Sequence, residues 1–348
     1  MQVELRQRGR ASLDFLAQLG GALRRARGAV TDELSLAEND LPDDFALRLA
    51  VFEGALKRAP AYPYFAALRA WYARTHGPVA IESFEEVRAT LQPMLREMQN
   101  GPTTLEPTLG DALPDYHRGV AFHGTGPWDG HDQMGFVHGE LIHRRLVARN
   151  FGGDIYAQRR GMLDELDGRQ YARILELGTS SGNHTMAISQ RFPAAALSGI
   201  DLSLRMLEQA QRVGNQHGLA WQLHQRAAES TGFPDQSFDL VTGYALGHEV
   251  PAHVFDAILK ESWRVLAPGG ELLLGDVVPF LAQDKLTQCW AQHEAVHGGE
   301  PYWRDYCSRD LAAVATEAGF ERARYFGQGP HQHPFVLHAR KPGRTDAA

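Results

Sequence analysis

The sequence predicts an α/β protein, a doubly wound and mostly parallel sheet preceded by an all-helical N-terminal domain. Three observations predict it. Apolar residues before residue 98 recur at three- and four-residue steps with no strand alternation. From about residue 133, strand and helix signals alternate. A glycine-rich turn follows the first apolar strand of that second part. The length of 348 residues exceeds one ordinary domain. With 43% apolar and 22% charged residues the chain can bury a sizeable core, which excludes a disordered protein.

Taken in order, Leu13, Phe15, Leu16, Leu19 and Leu23 predict a first helix, and Phe45 to Leu56 a second. Asp32-Glu33 and Ser83-Phe-Glu-Glu read as helix N-termini with acidic first turns. Residues 100–130 hold Pro102, Pro107, Pro114, Pro127 and six glycines, the composition of a long linker. The domains are therefore expected at 1–125, helices and linker, and at 126–348. A helical region, Phe136 to Leu166, opens the second domain. Strands follow at Arg173–Leu177, Ala196–Ile200, Phe238–Thr242 and Glu271–Gly275. Helices fall between them, the most amphipathic carrying Leu204, Met206, Leu207 and Ala210 on one face. Such alternation places every strand C-terminus, and any ligand, along one edge.

The formal charge of −7 and the lack of a basic aromatic stripe argue against a nucleic-acid partner. No apolar run reaches the length of a membrane span, and the N-terminus lacks a secretion pattern, so a cytoplasmic protein is expected. Two cysteines, Cys289 and Cys307, read as small buried hydrophobes.

The turn after the first strand reads Gly178-Thr-Ser180-Ser-Gly182, where small residues let a ligand approach the backbone. Its spacing differs from the G-x-G-x-x-G of a dinucleotide cradle, which disfavours a nicotinamide oxidoreductase. Asp201 ends the second strand nineteen residues after Gly182, where a ribose-binding carboxylate belongs. The competing role for Asp201 is a cap for the helix beginning near Ser203.

Residues 171–341 resemble the class I S-adenosylmethionine-dependent methyltransferases, close to the ubiquinone/menaquinone-type and type 11 small-molecule group. The resemblance rests on ordered motifs: Leu175-Glu176-Leu-Gly178 to Gly182, Gly199-Ile-Asp201-Leu-Ser, Phe233-Pro-Asp-Gln-Ser-Phe238-Asp-Leu-Val, and Leu266-Ala-Pro-Gly-Gly270-Glu-Leu-Leu-Leu. The tail, Ser308-Arg-Asp-Leu to Ala318-Gly-Phe and two last strands, matches too. It implies a seven-stranded sheet with an antiparallel last strand and S-adenosyl-L-methionine as cofactor. It also implies a cofactor site: Glu176, Gly178, Ser180 and Gly182 beside the methionine, Asp201 on the ribose, Leu202 and Met206 against the adenine, and Tyr244 at the fourth-strand end. The third-strand acid of the family falls at Ala227, so the adenine contact passes to Ala228 or Glu229. Tyr156, Arg159 and Arg160 lie on a helix that, by resemblance, covers the cofactor; the competing reading is a solvated basic helix face.

In this family the protein holds a nucleophile in line with the S–CH₃ bond, and a base takes the acceptor's proton. His248, just after the fourth strand, matches a histidine of the resembled group and is the first candidate base; the competing reading is a histidine that caps or hydrogen-bonds the following helix. Glu249 is expected to orient it or to cap the next helix. The long segment 277–306, with Trp290, Trp303, His293 and His297, is expected either to close over the acceptor or to fill a seam with the N-terminal helices. Within it His293-Glu294-Ala-Val-His297 spells H-E-x-x-H, a zinc-hydrolase string, although a substrate-facing histidine pair without metal is the better use of it here. Linker-region histidines His117, His123, His131, His138 and His143 fit no metal spacing. The expected activity is methyl transfer to oxygen, or secondly nitrogen, of a small biosynthetic metabolite. The helical domain is expected to shape the acceptor pocket, to dimerise, or both. A cofactor-binding interaction protein without catalysis is the rival reading.

Overall fold

The computed structural model describes residues 4–108, 113–117, 128–151, 153–166 and 168–343. Four helices come first: α1 (Gln7–Leu34), α2 (Phe45–Leu56), α3 (Tyr62–Glu85) and α4 (Arg88–Glu97). Asp44 caps α2, its side chain accepting from the Leu47 N–H at 2.8 Å. Two expected helix starts are not starts. Glu33 lies in the last turn of α1 and accepts from the Ala61 N–H, joining α1 to the entry of α3. Ser83 and Glu85 close α3, where Glu85 binds Arg88 of α4. An acidic pair looks alike at either end of a helix, and only the tertiary partner tells which.

The linker contributes a strand, β1 (Thr104–Glu106). The expected continuous helix up to Leu166 is broken into α5 (Met134–Phe136), a π-helix (Val137–Val147), a 3-10 turn and α6 (Ala157–Leu163). Then follow β2 (Arg173–Leu177), α7 (Asn183–Arg191), β3 (Ala196–Asp201), α8 (Leu204–Gln216), β4 (Gln222–Gln225) and β5 (Phe238–Tyr244). The chain ends with α9 (Ala252–Val265), β6 (Leu266–Asp276), α10 (Lys285–Gly298), α11 (Trp303–Cys307), α12 (Leu311–Glu317), β7 (Glu321–Gly327) and β8 (Phe335–Arg340).

The sheet order is β1-β4-β3-β2-β5-β6-β8-β7, with β8 antiparallel to both neighbours. Seven strands match the expectation; the eighth is β1, which pairs in parallel with β4 from Thr104 opposite Gln222. The linker passes the open edge of β4, and its backbone groups find partners there, beginning with Thr104 N–H to the Trp221 carbonyl. β2 lies between β3 and β5, so the chain winds outward both ways from it. The loops after β2 and β5 diverge and leave a crevice at their C-terminal ends.

Two apolar clusters sandwich the sheet, one around Leu175, Val241, Phe255 and Leu272, the other around Ile174, Ile188, Leu207 and Leu240. The N-terminal helices share their cores with the rest. Leu13, Leu16 and Phe84 pack on Phe136, Leu141 and Met206, while Phe52 and Phe65 pack on Trp290 of α10. This shared packing holds α1 and α3 over the C-terminal edge of the sheet. Both cysteines are buried and free, as expected. Among the described residues no helix is long and apolar enough to cross a membrane.

Candidate active site

The strand β2 is buried from Ile174 to Leu177, and the chain leaves it through Gly178 at φ +69°, Ser180 at φ +51° and Gly182 at φ +86°. These left-handed conformations turn the chain sharply into α7. At the end of β3, Asp201 ties the turn in place: one carboxylate oxygen accepts from the Ser180 N–H and the other from the Ser203 N–H, both at 2.8 Å. The cap of α8 is Ser203, whose hydroxyl accepts from the Met206 N–H. Asp201 is thus not the helix cap. Burial raises its pKa, against the two backbone donors.

A cavity of about 690 Å³ opens here, within the range of small-molecule sites. Gly178, Ser180, Asp201, Leu202, Met206, Ala228, Glu229, Tyr244 and His248 of the expected set line it. Glu176, Gly182 and Tyr156 do not. Glu176 is fully buried under the turn, where its carboxylate accepts from the Thr185 hydroxyl at 2.6 Å and burial pushes its pKa up to about 8. Gly182 packs against α8, where a Cβ would lie 3.2 Å from the Ala210 Cα. Tyr156 turns to Arg144, and its neighbour Arg159 lines the cavity instead, with its guanidinium 4.2 Å from the Tyr244 ring centre.

His248 and its partner form the most polar corner. The imidazole is 3% exposed and Nδ1 lies 2.5 Å from the Asp276 carboxylate at the end of β6. Asp276 also accepts from the Gly247 and Val277 N–H groups at 2.7 Å. Burial pulls the imidazole pKa down, but the charge and hydrogen bond of Asp276 outweigh it and hold it up at about 9. Asp276, not Glu249, orients the ring, and His248 caps no helix, since α9 begins after Pro251. Burial pushes Glu249 up to about 8. Sequence reading passed over Asp276; its place at a strand C-terminus on the ligand-bearing edge was the available signal.

The H-E-x-x-H string does something else. His293 and His297 do not line the cavity. The His293 ring packs between Trp290, Phe52 and Tyr62, and burial lowers its pKa to about 4. Glu294, which does line the cavity, is held by Arg69 at 2.7 Å. Among the described residues no three His, Cys, Asp or Glu side chains gather as metal ligands. In the segment 277–306, Val277, Glu294 and Trp303 line the cavity, and Trp290 fills the seam with the N-terminal helices. His117, His138 and His143 line the cavity, His131 pairs with Glu85, and His123 lies outside the described residues.

The donor set fits an adenosyl group. Asp201 ends β3 and lines the cavity. Glu229 Oε1 accepts from the Tyr116 hydroxyl at 2.7 Å, while Oε2 is buried and has no partner among the described residues. That lone oxygen suits an exocyclic amine. A Cβ at Gly178, whose φ already excludes most side chains, would come within 3.3 Å of Leu246 across the cradle.

The family described as Methyltransferase domain matches residues 174–270. Over 140 residues the chain is 34% identical to the demethylmenaquinone methyltransferase of Thermus thermophilus, covering 40% of this chain and 61% of that protein. Over 107 residues it is 35% identical to the fatty-acid O-methyltransferase of Mycolicibacterium smegmatis, covering 31% and 38%. The chain therefore spans about half the length of these curated relatives. A solved structure of the Haemonchus contortus phosphoethanolamine N-methyltransferase 2 with S-adenosyl-L-methionine is 16% identical, with a TM-score of 0.43 over 55% of this chain and 53% of that one. Residues 174–270 of this chain thus match a methyltransferase domain, and the relatives that share the region are named as methyltransferases.

Proposed function

We propose that this protein transfers the methyl group of S-adenosyl-L-methionine to an oxygen of a small biosynthetic metabolite, with nitrogen the second choice. The observation that carries the proposal is the continuity of one cavity from Gly178 and Asp201 to the His248–Asp276 pair. When bound, the cofactor supplies an electrophilic methyl carbon on its sulfonium.

The chain's own residues do the rest. Asp201 accepts from the ribose hydroxyls through the lone pairs that Ser180 and Ser203 leave open, and Leu202 and Met206 give the adenine an apolar wall. Glu229 Oε2 accepts from the adenine amine, beside Ala228. Arg159 and Tyr244 close over the methionine end. His248 takes the acceptor's proton at Nε2, and Asp276 stabilises the imidazolium that forms. A hydroxyl needs such a base, which supports oxygen over carbon. The name of the M. smegmatis relative supports oxygen too, and that of the T. thermophilus relative supports a biosynthetic role. The helices α1 and α3 form the acceptor's far wall.

The test is calorimetry with S-adenosylhomocysteine on folded protein, then incubation of metabolite extract with methyl-deuterated cofactor and mass spectrometry. Heat on titration and label in one oxygen-linked methyl group are expected. Absence of heat removes the reading; label on nitrogen selects the second choice.

A further inference from the structure

The wall of the cavity farthest from the sheet belongs to the helical region and differs from the rest in charge. Past the strand ends, Asp201, Glu229 and Glu249 line the cofactor side together with Arg159 and Arg226, so carboxylates outnumber guanidiniums there. On the helical side the lining includes Arg24 and Arg27 of α1 and Arg69 of α3, against one carboxylate among the described residues, Glu294. The chain as a whole carries a formal charge of −7, so three guanidiniums at one mouth run against its average.

We propose that Arg24, Arg27 and Arg69 select an acceptor that carries an anionic group, a carboxylate or a phosphate, at the end away from the methylated atom. This rests on the methyltransferase reading of the cavity. Arg24 and Arg27 are three residues apart, so they share one face of α1 and meet at the same opening. Both are exposed, which places them at the entrance. Arg27 is held with its guanidinium carbon 5.8 Å from the centre of the Trp290 ring. Arg69 uses Nε on Glu294 at 2.7 Å, and among the described residues its two terminal nitrogens make no bond. A planar fork of this kind meets carboxylate and phosphate oxygens two at a time. The helices that carry these arginines and the π-helix also put Leu23, Phe65 and Ile142 into the lining, with Tyr72, His76, His138 and His143 among them, so the body of the acceptor meets apolar surface interrupted by hydroxyl and imidazole groups. A basic entrance also raises the local concentration of an anion in the fashion of electrostatic steering.

The test titrates protein saturated with S-adenosylhomocysteine with benzoate, octanoate and phenyl phosphate, and with the neutral counterparts benzamide, octanamide and phenol. At least one anion is expected to bind ten or more times tighter than its counterpart, and added salt is expected to reduce that preference. The acid and phosphate arms separate the two anion classes. The Arg24→Gln/Arg27→Gln variant is expected to lose the preference and the double lysine variant to retain part of it, both binding S-adenosylhomocysteine within about twofold of the parent. Equal binding of anions and neutral counterparts, no binding of any anion, or a preference that survives the glutamine variant would each overturn the proposal. Failure of S-adenosylhomocysteine itself to bind is a separate result, and it strikes the methyltransferase reading instead.

Discussion

Asp276 and His248 are joined by a 2.5 Å hydrogen bond between residues from neighbouring strands' ends, each no more than 4% exposed. Their linkage has a sign. The folded imidazole, at about 9, lies above its ordinary 6.5, so its contribution to stability is full below pH 6.5 and is lost as pH rises through about 9. Glu249 and Glu300 also face the ring, and they remain when Asp276 is changed. The Asp276→Asn variant should therefore be less stable at pH 7, by about 3–5 kcal/mol for a broken buried pair. The gap between parent and variant should narrow from pH 7 to 10 in thermal melts. A constant gap would show that the pair does not titrate there.

The same geometry sets the pH dependence of turnover. A base must be neutral to accept a proton, so kcat/KM for a hydroxyl acceptor should rise about tenfold per pH unit from neutrality and level off near 9. His248→Gln should lower kcat by about 10²-fold or more with S-adenosylhomocysteine affinity intact. A plateau near 6.5 in the parent would show that Asp276 does not tune the imidazole.

Asp201 offers a measurement on the cofactor side alone. Its carboxylate orders the turn through Ser180 and faces the cavity, so Asp201→Ala removes charge-assisted bonds to both. Calorimetry should show a loss of about 2 kcal/mol in S-adenosylhomocysteine binding. Loss confined to acceptor turnover would remove Asp201 from the cofactor site.

The sheet was legible because its strands are short, apolar and separated by turn residues, and the glycine turn and Asp201 advertise themselves by spacing. What eluded sequence reading has long-range causes. β1 is three residues long and is a strand only because β4 offers an open edge to Thr104. The π-helix came from a segment whose apolar periodicity reads as an ordinary helix; it brings His138, Ile142, His143, Leu146 and Val147 to the cavity. Glu176 carries the family motif yet lies beneath the cradle, because the side-chain direction in a strand alternates and the motif alone does not say which face is open. His293 and His297 stand four apart as a metal pair would, but the aromatic seam with Phe52 and Trp290 takes His293.

Two glycines test the packing that holds the helical wall over the sheet. Gly135 lies in α5 against α8, where a Cβ would fall 2.0 Å from the Arg205 carbonyl oxygen and 2.8 Å from its carbon. Backbone cannot rotate away as a flexible side chain does, so Gly135→Ala must push α5 and the π-helix off α8, at a cost of about 1–3 kcal/mol. Gly28 sits in α1 with nothing within 4 Å of its Cβ position, and alanine there should add up to about 1 kcal/mol through helix propensity. Urea denaturation at constant slope reads both. Because Gly135 is flanked by Met134 and Phe136 in the cluster that holds Met206, its variant should also bind S-adenosylhomocysteine more weakly, while Gly28→Ala leaves binding unchanged. Equal stability of the two variants would mean that the α5–α8 contact gives way without strain, and the wall would then be free to move.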